Sequence, residues 1–341
     1  MENFKLPAIP IIQELDDETP ETPSWKERAI NLENHYPEPE FILEFNGSKF
    51  FTIGDIVVIK GKPKKGKSHL MIAFIVALMS GQYIGMNRLK SATKILYIDA
   101  EMHPNYTALL ARKIHKAVGI NPMKNSNELT VLNLKRDAPA ERERIIEGAI
   151  QELQPDIVFI DGVKDITRTE PNDQTEGKRI GEELKQWSGK YNCMIAVAIH
   201  ENKNDMNSRG AVGAAVEEIS SEVWRIDRDT EGLFTANQTL FRYHSPVKDL
   251  CFTMDEHGNI QTAEPPERMS NAERKLQTMN LLFSEIFKNS KQLSFSQLET
   301  EYMRLKKVKN TAAFNGITYA YENKVIVKNL VGEYEFNKLV V

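Results

Sequence analysis

Ile56-Val57-Val58-Ile59-Lys60-Gly61-Lys62-Pro63-Lys64-Lys65-Gly66-Lys67-Ser68 decides the fold. The first four residues are apolar and β-branched, which predicts a short buried strand. Gly61, Lys62, Pro63, Lys64, Lys65, Gly66, Lys67 and Ser68 then follow as G-x-x-x-x-G-K-S, the spacing of a phosphate-binding loop. His69 to Met79 continue as an apolar helical run, so strand, loop and helix agree. Gly61 and Gly66 lack the Cβ that would keep backbone N–H groups from turning toward anionic oxygens. Lys67 has the reach for β- and γ-phosphates. Ser68 puts a hydroxyl at a helix N-terminus, suited to Mg²⁺ and to the positive end of the helix dipole. The stretch therefore predicts a nucleoside triphosphate site with a bound magnesium ion.

Composition bounds the rest. At 341 residues the chain has room for one large α/β domain and a smaller module, and 41% hydrophobic with 27% charged residues reads as globular. A net charge of −4 argues against general attraction to nucleic acid, but the ends differ. Residues 1–45 carry eleven acids and three bases, a charge of −8, whereas from Arg268 onward twelve bases face seven acids, a charge of +5. The C-terminal part is thus the better electrostatic partner for phosphate. Cys193 and Cys251 are the two cysteines and lack metal-ligand spacing, which fits a reducing compartment. No apolar run reaches the roughly eighteen residues of a membrane span, and the acidic N-terminus does not resemble a signal peptide. A soluble cytoplasmic protein without membrane contact is expected.

Residues 1–39 are acidic and punctuated by Pro7, Pro10, Pro20, Pro23 and Pro37, which predicts an extended arm. Phe41 to Phe45, Asn46-Gly47 and Lys49 to Phe51 read as a hairpin with a type I′ turn, opening a domain over 40–262. Strand-like runs recur at Ile95–Ile98, Thr130–Leu134, Ile157–Ile160 and Met194–Ile199, with helical patterns between them. Such alternation predicts an α/β fold, a mostly parallel sheet with helices on both faces. Val223–Ile226, Leu233–Tyr243 and Leu250–Met254 add strands, the last ones antiparallel at an edge, and Glu264-Pro265-Pro266 reads as a linker.

Accessory residues narrow the class. Ile157-Val158-Phe159-Ile160-Asp161 is an apolar strand ending in a carboxylate placed to hold Mg²⁺. Gly162 follows it, so a catalytic base has to come from elsewhere. Glu101, after Ile98-Asp99-Ala100, ends the strand that follows the first helix and can orient or deprotonate the attacking water. With Lys67 and Asp161, this Glu101 position resembles the RecA-like ATPases, and among them the RepA-type and DnaB-type hexameric helicases. The resemblance spans about residues 40–262. It implies ATP with Mg²⁺ at a subunit boundary, a homo-oligomeric ring, and single-stranded DNA as partner. It also implies that His200, ending its strand, senses the γ-phosphate, and that residues 201–213 face the ring channel. There Lys203 and Arg209 can meet a nucleic-acid backbone, with Gly210 and Gly213 lending mobility. Val223-Trp224-Arg225-Ile226-Asp227-Arg228 looks like the segment carrying an arginine finger, with Arg228 the preferred match and Arg225 the reserve. A structural role for the histidine, and a surface ion pair for either arginine, stay open from the residues themselves.

Over 268–341, Ser270-Asn271-Ala272-Glu273 has the form of a capping box before a helix. A second helix near Ser296, a third over Thr311–Glu322, and strands at Val325–Val327 and Tyr334–Phe336 give the order of a winged helix, a small α+β domain. Lys306, Lys307 and Lys309 between its later helices can meet phosphate, and the same module can instead dock protein. Two function classes follow: a ring motor of the helicase kind acting on single-stranded DNA in replication or mobilisation of a mobile element, or an ATP-switched DNA-binding or partner-remodelling protein. A small-molecule kinase fits less well, because no arginine-rich lid is evident and Glu101 suits water activation.

Overall fold

The computed structural model describes residues 26, 28–91, 93–202, 205–265 and 271–337. Residues 1–40 and 41–341 form two units. In the first, the Asn31 N–H donates to the Tyr36 hydroxyl at 3.2 Å and Asn31 Oδ1 accepts from the Glu33 N–H at 3.0 Å, closing a local turn. The proline-punctuated stretch up to residue 25 lies outside the described residues.

The second unit opens with the expected hairpin. Strands β1 (Phe41–Phe45) and β2 (Ser48–Thr52) pair antiparallel across Asn46 and Gly47, whose φ values of 51° and 79° are those a type I′ turn needs. Next come β3 (Ile56–Gly61) and helix α1 (Lys67–Ser80), then the short strands β4 (Gln82–Tyr83) and β5 (Met86–Arg88), which join the hairpin in the order β2-β1-β5-β4. The alternation continues through β6 (Ile95–Asp99), α2 (Pro104–Ala117), β7 (Leu129–Asn133), α3 (Pro139–Leu153) and β8 (Ile157–Asp161). A 3₁₀ turn (Val163–Ile166) leads into α4 (Gln174–Tyr191), β9 (Met194–His200), α5 (Gly210–Ile219) and β10 (Glu222–Arg228). Strands β11 (Phe234–Phe241), β12 (Leu250–Met254) and β13 (Ile260–Thr262) complete the domain.

The main sheet runs β13-β12-β11-β10-β3-β9-β8-β6-β7, parallel from β10 to β7 and antiparallel from β10 outward to β13. This is the RecA-like arrangement, with β9 inserted between the phosphate-loop strand and the Asp161 strand. Side-chain alternation explains why helices cover both faces. Val57, Ile59, Tyr97, Phe159 and Trp224 join α1 and α2 in one core, and Val58, Ile98, Ile160 and Val197 join α3, α4 and α5 in the other. Helix α1 is apolar nearly all round because the β1–β5 sheet covers the side that the main sheet leaves bare. The cover is pinned at Phe51, whose φ is 61° and whose N–H donates to the buried Glu222 carboxylate at 2.7 Å.

One sequence expectation needs correction. Residues 201–213 are not a single mobile loop: α5 begins at Gly210, and Gly213 is packed inside it. A Cβ at Gly213 would sit 3.0 Å from Ile199 Cγ2 and 3.3 Å from Ser208 Cβ, so this glycine lets the helix approach the sheet rather than bend. Val212, Val216 and Ile219 recur at helical spacing and pack against the core under the sheet.

Beyond the linker, α6 (Asn271–Ile286), α7 (Phe295–Lys306), α8 (Asn310–Glu322), β14 (Ile326–Lys328) and β15 (Tyr334–Phe336) enclose their own core around Phe283, Leu298, Ile317 and Val325. A capping box does occur here, between Ser294 and Gln297 at the start of α7. The one anticipated at Ser270 lies outside the described residues, as does Pro266 of the linker.

Candidate active site

The parallel strands deliver their C-terminal ends to one edge of the sheet, where ligands bind in such folds. Register does the placing: Gly61 is the partner of His200 across β3 and β9, and Asp99 is the partner of Asp161 across β6 and β8. The phosphate loop rises from that edge. Gly66 has φ 104°, and a Cβ there would come within 2.5 Å of the Phe234 ring; a Cβ at Gly61 would meet the Ile226 carbonyl oxygen at 2.5 Å. Both glycines are therefore also demanded by the close approach of β10 and β11, a reason the motif alone does not reveal.

Lys67 is buried, and its Nζ donates to the carbonyls of Gly61 at 3.1 Å and Lys62 at 3.3 Å. It also lies 2.9 Å from His200 Nδ1. Burial first, and the Lys67 charge second, push the His200 imidazole down to about 4. At neutral pH the ring is uncharged, so Nδ1 accepts from the ammonium. Burial likewise lowers Lys67. The ammonium is thus held on weak neutral acceptors at the loop, ready for exchange against phosphate oxygens.

Asp161 sits opposite. Its Oδ2 accepts from the hydroxyl of the fully buried Tyr97 at 2.8 Å, and Ser68 supplies a further hydrogen bond. Burial raises the Asp161 carboxyl from its usual range. Such a carboxylate, desolvated and aligned beside a hydroxyl, is a fit for Mg²⁺, a hard ion that favours oxygen ligands. Among the described residues no cluster of three or more His, Cys, Asp or Glu could hold a metal.

Glu101 is placed by a buried clamp. Asp99 Oδ1 accepts from the N–H groups of Glu101 at 3.0 Å and Met102 at 2.9 Å, while Oδ2 accepts from the Thr107 hydroxyl at the start of α2. Asn133 on β7 donates to Thr107 Oγ1 and to the Met102 carbonyl. The clamp leaves the Glu101 carboxylate exposed at the mouth of the site, 3.6 Å from Lys164 Nζ.

These residues share a cavity of about 740 Å³. Its polar end holds Lys67, Ser68, Glu101, Asp161 and His200. Its other end is apolar, walled by Ile72 and Val76 of α1, Tyr106 and Leu110 of α2, and Ile260. No local sequence pattern marks this wall, because it is assembled from three separate segments of the chain.

Other predicted residues lie apart from this cluster. Arg225 is engaged within its own chain, its Nε 2.8 Å from the buried Glu201. Arg228, exposed at the end of β10, rests its guanidinium on the Phe234 ring at 5.0 Å, and Lys65 pairs with Asp227 at 2.9 Å. Arg209 is exposed at the N-cap of α5, and Lys203 lies outside the described residues. Lys306, Lys307 and Lys309 are exposed together at the α7–α8 turn.

A family model described as an AAA domain matches residues 33–206, just over half of the 341 residues. The chain belongs to this AAA-domain family. It is an AAA-type P-loop ATPase, and the match covers the phosphate loop, Glu101, Asp161 and His200. A search of curated proteins returned no match. Among the described residues, no helix of this AAA-domain protein is long and apolar enough to cross a membrane.

Proposed function

We propose that the chain is a RepA-type ring ATPase, a helicase or helicase-like motor acting on single-stranded DNA in replication or mobilisation of a mobile element.

 The reading takes ATP with Mg²⁺ as cofactor, a homohexameric ring as the assembly, and single-stranded DNA as the track. The observation that carries it is the position of Glu101. The acid follows β6 by two residues and lines the same cavity as Lys67 and Asp161, rather than standing directly after the Asp161 strand. That is where a RecA-like motor needs its water-activating group.

In this reading Lys67 and the loop N–H groups hold the β- and γ-phosphates, and Ser68 and Asp161 hold Mg²⁺, which when bound neutralises phosphate oxygens. Tyr97 keeps the Asp161 carboxylate turned toward the site. Glu101 orients the water. Its oxygen attacks the γ-phosphorus, the bond to the β–γ bridging oxygen breaks with its electron pair left on ADP, and the water proton passes to Glu101 and on to solvent. Neutral His200 exchanges its Lys67 contact when the γ-phosphate arrives, and the strand end moves the loop that follows. The apolar end of the cavity receives the nucleoside, with Tyr106 as a stacking face. Arg228 serves a neighbouring subunit's site, and the C-terminal module acts as a winged helix.

The test is hydrolysis by wild type and Glu101→Gln, with and without single-stranded DNA, at concentrations where light scattering reports assembly. The variant should bind ATP normally and turn over at least about 100-fold more slowly, and the wild type should be stimulated by DNA only when assembled. Turnover indifferent to both DNA and assembly overturns the motor reading. A second reading, an ATP switch that docks a partner, draws on Phe314, Tyr321, Leu330 and Val331, all exposed on the C-terminal module, whose helix α8 carries no Arg or Lys. Nucleotide-dependent binding without DNA-stimulated turnover would favour it.

A further inference from the structure

Besides Lys67, a second cation stands next to Glu101. Gly162, directly after Asp161, has φ 107° and turns the chain back into the 3₁₀ turn Val163–Ile166. That turn is fixed from outside: Arg142 of α3 donates to the Asp165 carbonyl, and Thr167 Oγ1 donates to the Lys164 carbonyl at 2.7 Å. Lys164 is thereby brought to Glu101, a residue of the cavity lining, with its Nζ 3.6 Å from Glu101 Oε2. Its charge also disfavours the protonated forms of Lys67 and His200, which line the same cavity as Glu101. The Glu101 end of the pair is set independently, by the Asp99 clamp and by Lys135, which donates to the Glu101 carbonyl at 2.8 Å. The two turns thus present an exposed carboxylate and an exposed ammonium to each other beside the phosphate-loop cavity.

We propose that Lys164 is an in-cis counter-charge of the hydrolytic site, holding the Glu101 carboxylate when no γ-phosphate is present and transferring its ammonium to the γ-phosphate oxygens when ATP binds. An exposed ion pair at 3.6 Å is weak, so a phosphate bearing more charge displaces it readily. The transfer frees Glu101 for water and adds positive charge where the transition state gathers negative charge. This rests on the ATPase reading above.

The experiment compares wild type, Lys164→Met and Lys164→Arg in single-turnover hydrolysis, together with the affinities of a fluorescent ADP alone and with aluminium fluoride as the transition-state mimic. Lys164→Met should bind ADP within about threefold of wild type yet hydrolyse roughly 100-fold more slowly, the effect of one lost transition-state contact. It should also lose the extra affinity that aluminium fluoride confers, and Lys164→Arg should recover most of both. Wild-type hydrolysis and aluminium fluoride affinity in Lys164→Met overturn the proposal, as does an equal loss of ADP affinity that Lys164→Arg fails to repair. A wild type that hydrolyses no ATP with or without DNA overturns the ATPase reading and this proposal with it, and so is told apart from failure of Lys164 alone.

Discussion

Replacing His200 by glutamine removes a titratable group whose folded and unfolded protonation differ, and the consequence is a specific change in acid stability. In the folded chain the imidazole is depressed to about 4 by burial and by the Lys67 ammonium, against an ordinary value of 6.5. The sign follows from which state takes up protons. Above pH 6.5 the ring is neutral in both states and costs nothing. Between 6.5 and about 4 the unfolded chain binds a proton that the native site refuses, so native stability falls as the pH falls. At pH 5 the loss integrates to about 2 kcal/mol, and it approaches about 3 kcal/mol once the folded ring also titrates. Glutamine keeps a side-chain oxygen for Lys67 and does not titrate. The difference in unfolding free energy between wild type and His200→Gln, measured by urea denaturation, should therefore shift by about 2 kcal/mol between pH 7.5 and pH 5, in favour of the variant at the lower pH. Titration of neighbouring carboxylates is common to both proteins and largely cancels. A difference that stays constant across that range would refute the neutral, half-buried histidine and with it the Lys67–His200 hydrogen bond as drawn.

Tyr97→Phe keeps the buried ring and deletes only the hydroxyl that aligns Asp161, so the half-saturating Mg²⁺ concentration for nucleotide binding should rise roughly tenfold, read by fluorescent ADP titration, while the Mg²⁺-free affinity stays put. Glu217→Ala leaves Lys60, 6% exposed, without the carboxylate it meets at 2.6 Å. Because Glu217 is itself partly exposed, the destabilisation should be roughly 2 kcal/mol, seen in urea denaturation, and Lys60→Met combined with Glu217→Leu should restore most of it.

How much of this was legible without coordinates depends on how far each feature reaches along the chain. The phosphate loop, the strands β6, β8 and β9, and the Asn46-Gly47 turn are local patterns, each carried by a few consecutive residues. Glu101 and Asp161 were legible because each ends an apolar run. What could not be read are meetings set by register or by turn geometry. Tyr97 reaches Asp161 only because β6 lies beside β8, and Lys164 reaches Glu101 only because Gly162 turns the chain back. Strands β4 and β5, two and three residues long, are too short to show a period. Gly210 to Gly213, the first turn of α5, read as part of a loop over 201–213 because of its glycines. The spacing of Val212, Val216 and Ile219 was the signal for a helix.

The choice between the two candidate arginines turns on what each would leave behind. Arg225 is held by Glu201, a carboxylate whose side chain is 0% exposed, and Glu201 also forms the antiparallel bridge to Ser208 that closes the segment after His200. Withdrawing Arg225 toward another subunit would strand that buried charge, a cost of several kcal/mol, and would loosen the segment expected to respond to the γ-phosphate. Ser208 is tied in turn to Glu217, which pairs with Lys60 on the phosphate-loop strand. Arg225 therefore belongs to the chain of contacts running from β3 through α5 to the residues after β9. Arg228 stands outside it: its guanidinium lies on the face of Phe234, a contact worth about 1 kcal/mol at an exposed site. If a neighbouring site takes an arginine from β10, the physical cost selects Arg228, and the Glu201 pair selects Arg225 for the opposite task of holding its own subunit together.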